Sequence, residues 1–142
     1  MTVEHKHLIV RAEVKKPPTN QKWAHTWLTD LVAKIGMQIC QGPITTYLNM
    51  PGNRGLTGLV IIETSHIALH CWDETDPGLL QLDVYTCGSL PTDVIFEEIK
   101  HIIGDKRGIF VAKRNTKSFC ETIEHIKINY KKIQKDMKKN KL

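Results

Sequence analysis

The residues best suited to chemistry crowd into one stretch, 56–88, which reads LTGLVIIETSHIALHCWDETDPGLLQLDVYTCG. It carries a hydroxyl at Ser65, imidazoles at His66 and His70, and thiols at Cys71 and Cys87. Glu63 to Ser65 joins two apolar runs without Gly or Pro. A chain reversal there forces ordinary residues into a tight bend, which stores on the order of a few kcal/mol. Strain on the Thr64–Ser65 peptide helps the Ser65 hydroxyl attack the preceding carbonyl and turn the amide into an ester. Loss of the Ser65 Cα proton then expels the Thr64 carboxylate and leaves dehydroalanine. Hydrolysis of its imine tautomer yields a pyruvoyl group at a new N-terminus. Such a ketone forms a Schiff base with a substrate amine and serves as an electron sink. Loss of CO2 becomes feasible because the carbanion is delocalised.

Two helpers are required. His70 is the candidate base for the Ser65 Cα proton. Cys87 suits the acid that returns a proton to the substrate carbon, because a thiol with a pKa of about 8.5 donates near neutral pH. The same residues have plainer readings. A serine in a bend is more often a turn residue, and a histidine on a strand is more often a hydrogen-bonded structural group. Spacing alone leaves these alternatives open. A zinc site from His66, His70, Cys71 and Cys87 fits poorly. Four residues of strand separate the two histidines by about 13 Å at about 3.3 Å per residue, too far for ligands at about 2.0–2.3 Å from one ion. No metal is expected.

The surrounding pattern says what must hold these groups. Residues 6–14 read as a first strand. The prolines of KKPPTN break the chain, and Thr19 or Asn20 caps a helix. Trp23, Trp27, Leu28, Leu31 and Ile35 fall on one face of it, and Gly36 ends it. Residues 37–48 form a second strand, with Gly42-Pro43 marking a bulge or edge. Residues 49–55 are a loop, 57–64 a third strand, 66–72 a fourth, and 73–78 a turn. In the fifth strand, 79–87, Leu80, Leu82 and Val84 face the core. Gln81, Asp83, Tyr85 and Cys87 face a cleft or a partner subunit. Asp83 is expected to be a polar-face residue, and Tyr85 and Trp72 packing or pocket walls.

An amphipathic helix over 92–103 turns Ile95, Phe96, Ile99, Ile102 and Ile103 inward, and a sixth strand covers 108–113. Ser118 and Glu121 form a capping box for a last helix with Phe119, Ile123, Ile126 and Tyr130 on its apolar stripe. The order β-α-β-β-β-β-α-β-α, with few helices and adjacent strands, predicts an α+β fold. This is a two-layer sandwich of a mainly antiparallel β-sheet with helices packed on one face.

The 142 residues suit one domain. No apolar run approaches the roughly 20 residues of a membrane span, and the N-terminal MTVEHKHLIVRAEV lacks the apolar centre of a signal peptide. A cytoplasmic location is expected, with free thiols at Cys40, Cys71, Cys87 and Cys120. The net charge of +5 belongs to the C-terminal sixteen residues, with seven lysines and one acid; the body is near neutral. A basic tail over about 131–142 is read as a solvated helix end, and nucleic-acid binding is not expected.

Residues 58–88 resemble the prokaryotic S-adenosylmethionine decarboxylases. The resemblance rests on an apolar strand, Ser65-His66, the apolar 67–69, His70, Trp72, and the acidic strand running through Asp83 to Thr86-Cys87-Gly88. His7-Leu8-Ile9-Val10 is also similar to that family's first strand. The resemblance implies that Ser65 is the precursor of a pyruvoyl cofactor, His70 the processing residue and Cys87 the catalytic acid. It implies self-cleavage between Thr64 and Ser65 into chains 1–64 and 65–142, a homodimer of cleaved protomers, and a role in spermidine and polyamine synthesis. Three features depart from the family pattern. Thr64 stands where Glu usually precedes the processed serine, with Glu63 one place earlier as a possible substrate contact. Thr57 replaces a second serine that helps processing. The loop 49–55 is longer, and Tyr47 before it corresponds to an adenine-stacking aromatic. These departures mark where a different substrate, ornithine or arginine, would show. A third reading is an uncleaved, non-catalytic relative acting as a binding or regulatory subunit.

Overall fold

A computed structural model describes residues 4–103, 110–116 and 124–127, the last two stretches by their backbone. Its order is β1 (His5–Val14), α1 (Gln21–Lys34), β2 (Ile39–Leu48), β3 (Gly55–Ile62), β4 (Ser65–Trp72), β5 (Gly78–Thr86), α2 (Thr92–Ile103), β6 (Phe110–Thr116) and β7 (Glu124–Lys127). The strands form one sheet in the order β2-β3-β4-β5-β1-β6-β7. Every neighbouring pair is antiparallel. This is the α+β two-layer arrangement that the pattern of short, adjacent strands requires.

Period-two alternation divides the sheet into two faces. Leu8, Val10, Ala12, Leu56, Val60, Ile67, Leu69, Leu80, Leu82 and Val84 are buried on one. They pack in a single core with Ala24, Leu28, Leu31 and Val32 of α1 and Ile95, Ile99 and Ile103 of α2. Of the residues expected inward, Trp23, Trp27, Phe96 and Ile102 are only partly buried at the rim. Gly58 sits where α1 crosses β3. A Cβ there would meet Leu28 Cδ1 at 2.7 Å, so the missing side chain lets the helix approach.

The helix ends follow from capping chemistry. Asn20, not Thr19, is the N-cap, its Oδ1 accepting from the Trp23 N–H at 2.9 Å. Gly36, at φ 73°, closes α1, with Met37 N–H on the Val32 carbonyl and Gly36 N–H on that of Ala33. Gly42-Pro43 lies at the expected irregularity, where the β2–β3 register slips between Gln41 and Ile44.

One expectation fails. The last helix is not seen in residues 124–127, which form β7 and pair with β6. Ile126 is thus on a strand, opposite Val111. A four-residue stretch has little helical preference of its own, and β6 offers an open row of backbone donors and acceptors that β7 satisfies. Ser118, Phe119, Glu121, Ile123, Tyr130 and the lysine tail lie outside the described residues, as does Cys120.

Candidate active site

The β3–β4 hairpin closes with Ile62 opposite Ser65, leaving Glu63 and Thr64 as a two-residue loop. Such loops favour turns with positive φ, because their twist matches that of the strands, and they usually take Gly or Asn there. Neither residue is present, and neither Glu63 nor Thr64 has positive φ. The misfit falls instead on Ser65, at φ 153°, the one non-glycine with positive φ among the described residues. That region of backbone space belongs almost entirely to glycine and carries about 1–3 kcal/mol of strain.

The peptide that precedes Ser65 is held on its carbonyl side. The Thr64 carbonyl accepts the Cys87 backbone N–H at 3.1 Å. A donor aimed at a carbonyl oxygen stabilises the negative charge that nucleophilic attack puts there. The Thr64 side chain is tied down as well. Its Oγ1 accepts from Thr86 Oγ1 at 2.8 Å and donates to Met37 Sδ at 3.4 Å, while Thr86 Oγ1 accepts the Gly88 N–H at 2.9 Å. Thr86 is fully buried. The Cys87 side chain is exposed, one residue beyond Thr86, which pairs with Ser65. Cys71, by contrast, is buried in the core, and burial pushes its thiol up to about 12. Of the two thiols, only Cys87 is open to an incoming molecule.

His70 and Thr57 form a second group. They pair across β3 and β4, with Thr57 Oγ1 and His70 Nδ1 3.1 Å apart. The His70 ring stacks on Trp72 at 5.6 Å. Burial lowers the His70 pKa below the ordinary histidine value, outweighing the opposite pull of the Asp83 charge. The neutral, base form therefore prevails at neutral pH. This pair does not meet Ser65 within one chain. Five residues of strand place them about 16 Å apart. Ser65 lines up with Thr86 on the helix-covered side, whereas His70 lines up with Gln81 on the open face.

Tyr47 is also remote from Ser65. It lines up with Leu56 on the helix-covered side at the opposite end of β3, and its hydroxyl donates to Asp73 Oδ2 at 2.8 Å. Hydrogen bonding to that carboxylate raises the Tyr47 pKa. Asp73 in turn takes Arg54 Nε at 2.9 Å. Desolvation of its carboxyl works against ionisation, but the Arg54 and Tyr47 hydrogen bonds outweigh it and the pKa falls. Glu74 accepts the backbone N–H groups of Gly52 and Arg54, which lower its pKa and tie the 49–55 loop to the β4–β5 turn. Glu63 is exposed at the tip of the hairpin.

The open face carries a cluster that spacing alone does not reveal. His7 Nε2 lies 2.7 Å from Asp83 Oδ1, and His66 Nε2 lies 3.7 Å from the same oxygen. Tyr85 stacks on His5 and His66 and bonds His5 Nδ1 through its hydroxyl at 2.6 Å. Thr86 belongs to the Thr86-Cys87-Gly88 motif, but its place beside Thr64 is not legible from that motif. Its neighbours in space, Thr64 and Met37, come from two other segments. Among the described residues, no group of three or more His, Cys, Asp or Glu is placed to hold a metal, and no helix is long and apolar enough to cross a membrane.

The fold is a one-sheet α+β sandwich with a strained serine hairpin, the Thr64 carbonyl held by the backbone of Cys87 just past the end of the neighbouring strand β5. Residues 7–114 match the family model described as S-adenosylmethionine decarboxylase, and the chain belongs to that family. It is 38% identical over 78 residues to the S-adenosylmethionine decarboxylase proenzyme of Pyrococcus horikoshii, covering 49% of this chain and 52% of that one. The proenzyme of Thermococcus onnurineus is 42% identical over 64 residues, 39% of this chain and 44% of its own. That of Archaeoglobus fulgidus is 50% identical over 34 residues, 24% and 29% respectively. The chain spans about half the length, or less, of these relatives.

Proposed function

We propose that this protein is a carboxy-lyase acting on S-adenosylmethionine, made as a proenzyme that cuts itself between Thr64 and Ser65. One observation carries the reading. Ser65 alone among the described non-glycine residues has positive φ, and the carbonyl its hydroxyl would attack already accepts the Cys87 N–H. Strain raises the ground state, and the hydrogen bond lowers the transition state.

The chemistry balances on the chain's own atoms. Ser65 Oγ bonds to the Thr64 carbonyl carbon as the Ser65 nitrogen leaves, giving an ester and a free amine. A base removes the Ser65 Cα proton, the Cβ–O bond breaks, and Thr64 departs as a C-terminal carboxylate. Water replaces the nitrogen of the resulting imine, ammonia leaves, and residue 65 becomes a pyruvoyl group heading chain 65–142. Bound there, the group supplies the electron-withdrawing carbonyl that makes decarboxylation feasible. The exposed Cys87 thiol, on the residue whose backbone N–H reaches the Thr64 carbonyl, returns a proton to the substrate carbon.

The base is the difficulty, and its solution implies a homodimer. His70 lies about 16 Å from Ser65 of its own chain and on the other side of the sheet. A second copy that packs over the hairpin end as well as the open face would let the partner's His70, held by the partner's Thr57, reach this serine from outside the chain. The open face is suited to being covered, since Ile44 is 63%, Leu59 41% and Ile61 43% exposed there. The location we infer is the cytoplasm, where free Cys40, Cys71 and Cys87 persist as thiols.

Intact mass of freshly made protein, followed over time, tests the cut. Two fragments, 1–64 and 65–142, the second trapped by a carbonyl reagent, are expected. A single species that stays whole refutes the reading. Release of labelled CO2 from S-adenosylmethionine, measured beside ornithine and arginine, tests the substrate. Release from either amino acid alone moves the assignment to that amine.

A further inference from the structure

The residue before the cut, Thr64, carries a hydroxyl of its own. Thr64 and Ser65 each hold an oxygen one carbon from Cα, so each is chemically able to attack the carbonyl before it. What separates them in this fold is hydrogen bonding. The Thr64 oxygen receives a hydrogen from Thr86 Oγ1 at 2.8 Å and sends its own to Met37 Sδ at 3.4 Å. Ser65 has no side-chain hydrogen bond among the described residues, and its hydroxyl is uncommitted.

The direction of the relay is set from its far end. Thr86 Oγ1 accepts the Gly88 N–H at 2.9 Å, so its single hydrogen is left to point at Thr64. Thr86 is fully buried and cannot trade these bonds for water. Gly88 leaves room for Thr64, since a Cβ built on it would lie 3.1 Å from Thr64 Cγ2. The residue between them, Cys87, gives its N–H to the Thr64 carbonyl. Thr86 and Cys87 therefore hold Thr64 at its hydroxyl and its carbonyl together.

We propose that Thr86 is a positioning residue for the break. Through the Thr64 hydroxyl it fixes the carbonyl that Ser65 attacks, and it withholds the Thr64 hydroxyl from the competing attack on Glu63. The inference rests on the self-cleavage reading above. It assigns a task to a side chain that touches neither the substrate nor the reacting atoms.

The test is a time course of cleavage, by intact mass, on full-length wild type, Thr86→Val, Thr86→Ser, Thr64→Val and the Thr64→Val/Thr86→Val double variant. Valine keeps the shape and removes the hydroxyl. Thr86→Val and Thr64→Val are each expected to be cut about tenfold more slowly, the effect of one lost orienting hydrogen bond. Thr86→Ser keeps the hydroxyl and should be cut within about twofold of wild type. Because the two hydroxyls act as one unit, the double variant should be no slower than the slower single one. Wild-type cleavage together with an unslowed Thr86→Val overturns the inference. So does a Thr86→Ser as slow as Thr86→Val, which would mean that packing alone matters, and so do effects that multiply in the double variant. A wild type that is never cut overturns the self-cleavage reading itself.

Discussion

Replacing Ser65 in two ways separates its backbone from its hydroxyl. Both Ser65→Ala and Ser65→Gly lack the nucleophile, so both chains should remain whole and can be compared as intact proteins. They differ in what they do at φ 153°. Alanine keeps a Cβ and keeps the strain, about 1–3 kcal/mol. Glycine relieves it but brings extra unfolded-state freedom, a penalty of about 0.5–1 kcal/mol in a strand. The half-buried position adds little packing loss for a single methyl. The balance favours Ser65→Gly by about 1 kcal/mol at mid-range, and by up to about 2.5 kcal/mol. For a chain of this size the mid-range value corresponds to a melting temperature higher by roughly 3–5 °C. Thermal and urea unfolding of the two variants, followed by circular dichroism at equal protein concentration, reads it directly. A Ser65→Gly chain no more stable than Ser65→Ala would mean that the hairpin stores no strain on this residue. The ground-state half of the cleavage argument would then fall.

The other expectations concern the groups around that bond. Cys87→Ala keeps the backbone N–H and should cut normally while losing most decarboxylation. Cys87→Pro removes the N–H from the Thr64 carbonyl and should slow cutting on the order of a hundredfold, as followed by electrophoresis. A chain with His70→Ala should stay whole by itself. It should be cut when co-expressed with Ser65→Ala, whose His70 is intact, whereas a His70 acting within its own chain predicts no rescue. The His70 pKa lies below its unfolded value, so its contribution to stability is present above about pH 6.5. That contribution is lost as pH falls through the lower folded value, and the cleavage rate should fall across the same acidic range. A Thr57→Val chain, lacking the bond to His70 Nδ1, should show this acid limb with a lower rate plateau, measured by cleavage across pH. Gly58→Ala places a methyl 2.7 Å from Leu28 Cδ1 and should destabilise by about 1–2 kcal/mol in urea unfolding, since only the flexible end of that leucine must move.

Much of this protein is dictated locally. Alternation in Gly78–Thr86 and the Ile95, Ile99, Ile103 spacing of α2 report burial directly, because one face of each element must leave water. The Asn20 cap, the Gly36 stop and the break at Gly42-Pro43 are properties of single residues. The motif from Ser65 to Gly88 placed the chain in its family without any coordinates. What only the tertiary structure decided is who stands beside whom. The cluster of His5, His7, His66, Asp83 and Tyr85 exists because β1 pairs beside β5 and β5 beside β4, a choice of strand order that no residue states. The same pairing carries His70 away from the serine it was expected to serve, because five residues of strand are both long and odd in number. It turns 124–127 into a strand, because an unfilled sheet edge outweighs weak local preference. The strain at Ser65 has the same origin: a two-residue hairpin lacking glycine is harmless as a string of letters and costly once both strands are locked in register.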